Sequence, residues 1–276
     1  MKKKSFGSLL FLSLVLLIMY LPIIVVVIYS FNDNTARIPI AFTGWSTMWY
    51  QKLFSGRSGF GGALVLSLRV ALWSVLVSSV VGTLGAIGMA QRTIMDKKHA
   101  TKMDAAMEML VTLPIMIPEI ILGLAFMVIF NALGIRGNEL RLVLAHSTFC
   151  IPYVFLNVKS RLAGMDPALF DAARDLGANP ARVMRDITLP LCRPAIISGC
   201  FLALAMSLDD FVISFFVYGA GEGTLPIKIY SSVKVGVSPM VNALCTITMG
   251  VIFLAVALSR YLSSARAQRQ KKLARS

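Results

Sequence analysis

The chain has 276 residues, 57% of them hydrophobic and only 14% charged, with a mean hydropathy of +0.76. That balance excludes a water-soluble domain and defines an integral membrane protein. A net charge of +14 would suit a nucleic-acid partner, but the basic residues flank the apolar runs, so they report topology and no nucleic acid is expected.

Lys2, Lys3 and Lys4 precede a charge-free run from Ser5 to Phe31. Its apolar core is longer than that of a signal peptide and no small-residue cleavage site follows, so it is expected to remain as a first span, residues 5–31, entered from the cytoplasm. Residues 32–62 turn irregular, with Trp45, Trp49 and Tyr50, and predict an outer loop carrying an interfacial helix near Trp45 to Phe54. Span two covers about 64–90, with a charge-free core from Val70 to Ala90. Gly82, Gly85 and Gly88 fall three apart and favour close approach by a neighbouring helix. The next loop carries Arg92, Lys97, Lys98 and Lys102 and should lie inside. Span three, 104–132, contains Pro114 and Pro118, which kink or break it; a broken helix at membrane depth borders a cavity or another protein wall.

Span four is placed at 142–158, with Pro152 and with His146 expected to hydrogen-bond a neighbouring helix. The following loop, 159–193, contains the polar stretch DPALFDAARDLGANPARVMRDITLP, Asp166 to Pro190, which cannot lie in lipid. Asp166-Pro167 starts a helix, Gly177 stops it, and Asn179-Pro180 starts a second, giving a water-exposed helix, turn and helix. Span five is read as 194–218 and span six as 235–259, with a basic tail at 260–276 that suits anionic lipid. Between them the glycine-rich GAGEGTLP, Gly219 to Pro226, lacks the Lys-Ser or Lys-Thr of a nucleotide cradle. Most of the 27 basic residues fall in segments placed inside, so both termini and the Asp166 to Pro190 elbow are assigned to the cytoplasm. Cys150, Cys192, Cys200 and Cys245 form no CxxC and read as buried free thiols; no metal, cofactor or catalytic residue is expected.

Three acids lie where lipid would be: Glu119 in span three, and Asp209 and Asp210 in the SLDDFVISFF of span five. An ionised carboxylate at the bilayer centre costs about 2.5 to 3.5 kcal/mol even on lenient scales, so each should face water or a bundle interior. Glu119 and Asp209 are each fifteen residues from the expected cytoplasmic start of their span, roughly 22 Å along a helix, in the outer half of the core. Both are therefore expected to point into one passage and present negative charge to a cationic solute. Adjacent helical residues diverge by about 100°, so Asp209 and Asp210 cannot face the same way; one is free to contact a partner subunit or cap a helix break. The alternative for all three is satisfaction by arginine or backbone groups.

In the elbow, Asp171-Ala172-Ala173, Gly177 and Ile187-Thr188-Leu189-Pro190 have the spacing of the EAA loop of bacterial ABC importer permeases, which this chain resembles. Asp171 stands where the family has Glu, with the same charge and a shorter reach. With Ser207-Leu208-Asp209-Asp210 and the opening YLPIIVVVIYSFN, nearly the whole chain looks like the second permease subunit of spermidine/putrescine importers. The resemblance implies an all-α, type I ABC importer permease fold: six transmembrane helices and a cytoplasmic coupling loop between spans four and five. It implies ATPase docking through Asp171, Ala172, Ala173, Gly177, Ile187, Leu189 and Pro190. It implies a polyamine path at Glu119, Ser207, Asp209 and Asp210, with aromatic faces from Tyr20 and Trp45. For Trp45 a place in the interfacial belt is the alternative. The implied partners are a homologous second permease subunit, two copies of a cytoplasmic ATP-binding subunit, an extracytoplasmic polyamine-binding protein and membrane lipid, in a bacterial inner membrane. A permease for another solute, such as ferric iron or thiamine, shares the loop and spans. A cation channel needs no docking loop, and an intramembrane enzyme needs a nucleophile and base at one depth, where His146 stands alone and His99 lies in a loop.

Overall fold

A backbone group surrounded by lipid finds no water to bond, so long apolar runs fold into helix, where each amide pairs within its own segment. The computed structural model describes residues 6–36, 41–56, 58–90, 101–219, 221, 223–236, 238–254 and 257, and is helical apart from an isolated bridge between Asn32 and Trp45. In chain order the helices are α1 (Phe6–Tyr29), α2 (Met48–Phe54), α3 (Phe60–Ala90), α4 (Lys102–Met116), α5 (Glu119–Ala132), α6 (Asn138–Ala163), α7 (Ala168–Asp175), α8 (Pro180–Val183), α9 (Leu189–Asp209), α10 (Val212–Val217), α11 (Leu225–Val235) and α12 (Pro239–Leu254). A π-helical turn, Met184–Thr188, joins α8 to α9. Among the described residues four helices are long and apolar enough to cross a membrane: α1, α3, α6 and the continuous run Pro180–Asp209. The pair α4 and α5 together makes a fifth, broken span, and α12 is a shorter apolar helix. Lys2 to Lys4, Arg92, Lys97, Lys98, His99, parts of the glycine-rich loop and the basic tail lie outside the described residues.

The chain divides into two units, Met1–Gly61 with Ile229–Ser276, and Gly62–Lys228. In the first, α1 ends in a knot around Asn32, which is fully buried. Asn32 Nδ2 donates to the Ala41 carbonyl at 2.9 Å, Asn32 Oδ1 accepts from the Thr43 amide at 3.0 Å, and Trp49 Nε1 donates to the Asn32 carbonyl at 2.7 Å. Each buried polar atom thereby finds a partner. The interfacial helix starts at Met48, three residues later than the aromatic pattern suggests, and Lys52 sits over the Trp49 ring.

The second unit is built around α6, whose most apolar stretch is 56% buried, against 28% for α3 and 22% for the run ending in α9. Small residues decide how closely its neighbours approach. A Cβ on Gly199 of α9 would stand 2.9 Å from Val154 Cα, and one on Gly82 of α3 would stand 3.0 Å from the Ile151 carbonyl oxygen, the Phe155 amide and Val154 Cβ. Gly85 would meet only Phe155 at ordinary contact distance and Gly88 nothing, so of the three spaced glycines Gly82 alone makes the close approach. Hydroxyls stitch the same seam: Ser74 donates to the Val143 carbonyl at 3.3 Å and Ser78 to the Ser147 carbonyl at 3.2 Å. Lys159 of α6 pairs with Glu108 of α4.

The elbow folds from the local signals in its sequence. Asp166 Oδ1 accepts from the Ala168 amide at 2.9 Å, opening α7. Gly177, at φ +80°, closes it with the Ala178 amide reaching back to the Ala173 carbonyl at 3.0 Å. Asn179 Oδ1 then caps α8 on the Arg182 amide at 2.8 Å, with Pro180 in the first turn. The helices around the elbow differ in extent from the apolar runs. Around the stretch read as span four, about 142–158, α6 runs Asn138–Ala163, and α9 begins at Leu189, so helix extends into both ends of the 159–193 loop. The stretch read as span five, about 194–218, contains a helix break: α9 ends at Asp209 and α10 begins at Val212.

Gly199→Ala should lower the thermal unfolding midpoint of the purified protein, by the equivalent of about 1 to 3 kcal/mol, because backbone rather than a flexible side chain stands in the way. Gly88→Ala, with open space around it, should stay within about 0.5 kcal/mol of the parent.

Candidate functional site

Two helix breaks create the site. The first follows from proline: the residue before Pro118 is pushed out of helical geometry, and Ile117 is extended at φ −79°, ψ 134°. Pro118 also lacks an amide, so the chain leaves α4 with one fewer donor to satisfy, and α5 departs at 103° to α4. Pro114, four residues earlier, is accommodated inside α4. Glu119 is the first residue of α5, where a carboxylate is favoured by the free amides of the helix start.

The second break has neither proline nor glycine. Asp210 is extended at φ −64°, ψ 120°, and its carboxylate takes the place of the carbonyls that α10 lacks at its start. The Ile213 amide donates to Oδ1 at 3.2 Å and the Ser214 amide to Oδ2 at 2.8 Å. The two new helices pack on each other: a Cβ on Gly123 of α5 would lie 3.0 Å from the Phe216 ring and 3.3 Å from Ile213 Cα.

Between the breaks lies a cavity of about 190 Å³. Glu119, Asp209 and Asp210 all line it, with Pro114, Ile117, Leu122, Phe149, Tyr153 and Met206 supplying apolar and aromatic walls. Glu119 and Asp209 are exposed, whereas the Asp210 side chain is only 5% exposed. Ser207, at 4%, is buried behind the wall and does not line the cavity. Tyr20 and Trp45 belong to the other unit; both are exposed, and Trp45 is in ring contact with Phe31 and Phe42.

His146 does not stand alone. Its Nδ1 is 2.7 Å from Ser207 Oγ, and its Nε2 is 3.0 Å from Ser214 Oγ and 3.3 Å from Asp210 Oδ2. Ser, His and Asp in one chain of contacts invite comparison with a hydrolytic triad, but the order is inverted relative to need. A nucleophile must face the substrate. Here the serine is buried and the aspartate borders the cavity, so the set is a structural link. Among the described residues no group of three or more His, Cys, Asp or Glu side chains is placed to hold a metal ion. The carboxylates of Glu119 and Asp209 give the cavity a negative lining that attracts positive charge.

The elbow divides by face. Phe170, Ala173, Val183 and Thr188 are buried against the chain's own core, so Ala173 is turned away from any partner. Leu169, Ala172, Leu176 and Gly177 are exposed, Leu176 at 89%, while Asp171, Ile187, Leu189 and Pro190 are half-buried.

Broken spans around a charged cavity, joined to a water-exposed helical elbow, define a membrane transport subunit. Residues 82–269 match the family described as the binding-protein-dependent transport system inner membrane component, and the chain belongs to that family. It is 37% identical over 259 residues to the putrescine transport system permease protein PotI of Escherichia coli strain K12, covering 92% of this chain and 89% of that one. It is 36% identical over 253 residues to the spermidine/putrescine transport system permease protein PotC of the same strain, covering 92% of each, and equally to PotC of Haemophilus influenzae, covering 95% of that protein. In fold it is similar to a chain in the crystal structure of a bacterial ABC transporter involved in the import of the acidic polysaccharide alginate. That likeness has a TM-score of 0.70 at 15% identity and covers 95% of this chain and 99% of that one. The fold is that of an ABC importer permease.

With the four natural cysteines replaced by alanine, a cysteine at Asp209 or Glu119 should react with a water-soluble thiol reagent at least about tenfold faster than one at Ser207, since reactivity requires access. Equal rates at all three positions would remove the distinction between wall and interior.

Proposed function

We propose that this chain is a transmembrane permease subunit of an ATP-driven importer for polyamines, spermidine or putrescine, working without a nucleotide site of its own. The observation that carries the reading is the pair of exposed carboxylates, Glu119 and Asp209, opening onto one cavity at two helix breaks. The extended similarity to permeases named for putrescine and spermidine supports it. Fixed negative charge in a low-dielectric wall attracts an ammonium group far more strongly than the same charge in water. Tyr20 and Trp45, exposed in the other unit, carry aromatic faces of the kind that attract cations by their quadrupole.

The path is completed by a homologous second permease subunit, and an extracytoplasmic polyamine-binding protein delivers the cargo. Two copies of a cytoplasmic ATP-binding subunit engage the elbow. Leu169 and Ala172 of α7 are exposed with Leu176 just beyond its end, and a leucine 89% exposed there suits a protein partner. The distribution of basic residues supports a multi-pass orientation in the bacterial inner membrane with the elbow and both termini in the cytoplasm. ATP binding brings the ATPases together and moves the elbow, and hydrolysis returns it.

The test is reconstitution of the complete complex in vesicles, with polyamine uptake and ATP turnover measured together. Uptake should require ATP and the binding protein; uptake without ATP would indicate a channel. Glu119→Gln and Asp209→Asn should each raise KM for the polyamine about tenfold, equivalent to about 1.4 kcal/mol. Leu176→Asp should reduce polyamine-stimulated ATP turnover about tenfold by placing a charge at the centre of an apolar contact.

A further inference from the structure

Behind the cavity wall one side chain joins three helical segments. His146, on α6, is 1% exposed and reaches Ser207 on α9, Ser214 on α10 and Asp210 in the break between them. From this geometry we infer that His146 is a positioning residue. It clasps Asp210 as the cap of α10 and withdraws that carboxylate from cargo, leaving Glu119 and Asp209 as the two charges offered to a linear diammonium or polyammonium ligand. The inference deepens the polyamine reading of the cavity and rests on it for the identity of the ligand.

The acceptor capacity of Asp210 is largely committed. Oδ1 accepts the Ile213 amide, and Oδ2 accepts the Ser214 amide and faces His146 Nε2. With the imidazole proton on Nε2, that nitrogen donates toward Asp210 and Ser214, while Nδ1 accepts from the Ser207 hydroxyl, so every polar atom of the ring is served. Phe149, whose ring centroid is 5.1 Å from that of His146, packs beside it and lines the cavity. Glu119 and Asp209 differ in kind. Both are exposed, and neither carboxylate has a hydrogen-bond or ion-pair partner among the described residues.

Of the contacts that hold this break, the Ile213 and Ser214 amides on Asp210 are local, and the one from a distant part of the chain is His146. Removing the imidazole would leave a carboxylate buried to 5% exposure with the Ser214 hydroxyl and two backbone amides, all from the start of α10, and no tie to α6. The clasp therefore sets both the end of α9, on which Asp209 sits, and the number of open charges.

The complex in vesicles, supplied with putrescine, separates the roles. Asp210→Asn keeps the side-chain shape and one cap acceptor, and should lower Vmax about fivefold while leaving KM within about threefold; Asp209→Asn should instead raise KM about tenfold. His146→Leu should lower Vmax about tenfold with KM little changed, and His146→Gln, whose amide can donate to Asp210, should recover at least about half of Vmax. If Asp210→Asn raises KM as Asp209→Asn does, or if His146→Leu transports like the parent, the clasp is overturned. Should His146→Leu fail to assemble, the near-isosteric Asp210→Asn carries the decision. A second measurement needs no cargo: labelling of a cysteine at position 209 should change at least about fivefold when His146→Leu is added, with labelling at position 119 unaffected. An unchanged rate at 209 overturns the clasp. A parent complex that imports no polyamine overturns the functional reading alone, and the labelling result still decides the inference.

Discussion

A helix that stops at membrane depth leaves amides and carbonyls with no solvent to serve them, each costing roughly 2 to 7 kcal/mol if nothing else does. The chain meets this constraint twice around one cavity and solves it differently each time. At Pro118 the imino acid has no amide to orphan, and the extended residue before it turns the chain through 103°. At Asp210 a carboxylate substitutes for absent carbonyls and is itself held by His146. Glu119 and Asp210 both stand where a helix start favours negative charge. The acids that made the sequence look unlike a simple membrane anchor are thus tied to the breaks that make a cavity possible.

Legibility in the sequence followed the range of the interactions. The elbow could be read almost residue by residue, because Asp166-Pro167, Gly177 and Asn179-Pro180 act on amides within a few positions of themselves. The Pro118 break was equally local. The Asp210 break was open only as one of two uses for a spare acid, since the cap's link to the rest of the core is a histidine more than sixty residues away. The same limit applies to Gly82, Gly85 and Gly88. Their spacing shows a face, but only the position of α6 reveals that backbone meets backbone at the first and not at the third.

Site residues sorted in the same way. Sequence depth placed Glu119 and Asp209 at one level, and Pro118 marked the first bend, whereas the bend at Asp210 was only one of two uses for a spare acid. Nothing local distinguished Ser207, buried against His146, from its neighbour two residues on that faces the cavity. In the elbow, amphipathic spacing separated the inward Phe170 and Ala173 from the outward Leu169, Ala172 and Leu176 only once the core they pack on was in place.

The run from Pro180 to Asp209 is thirty residues of unbroken helical backbone, about 45 Å end to end. It starts in the elbow and finishes at the acid beside the cavity. Its midsection is pinned where Gly199 abuts Val154, with no side chain between to deform. Such a member behaves as a push rod running through a tight bearing: it resists lateral bending at the bearing, and a displacement applied at one end arrives at the other with little lost to compliance. The stiffness of this one helix therefore fixes how much of any displacement at the elbow reaches Asp209.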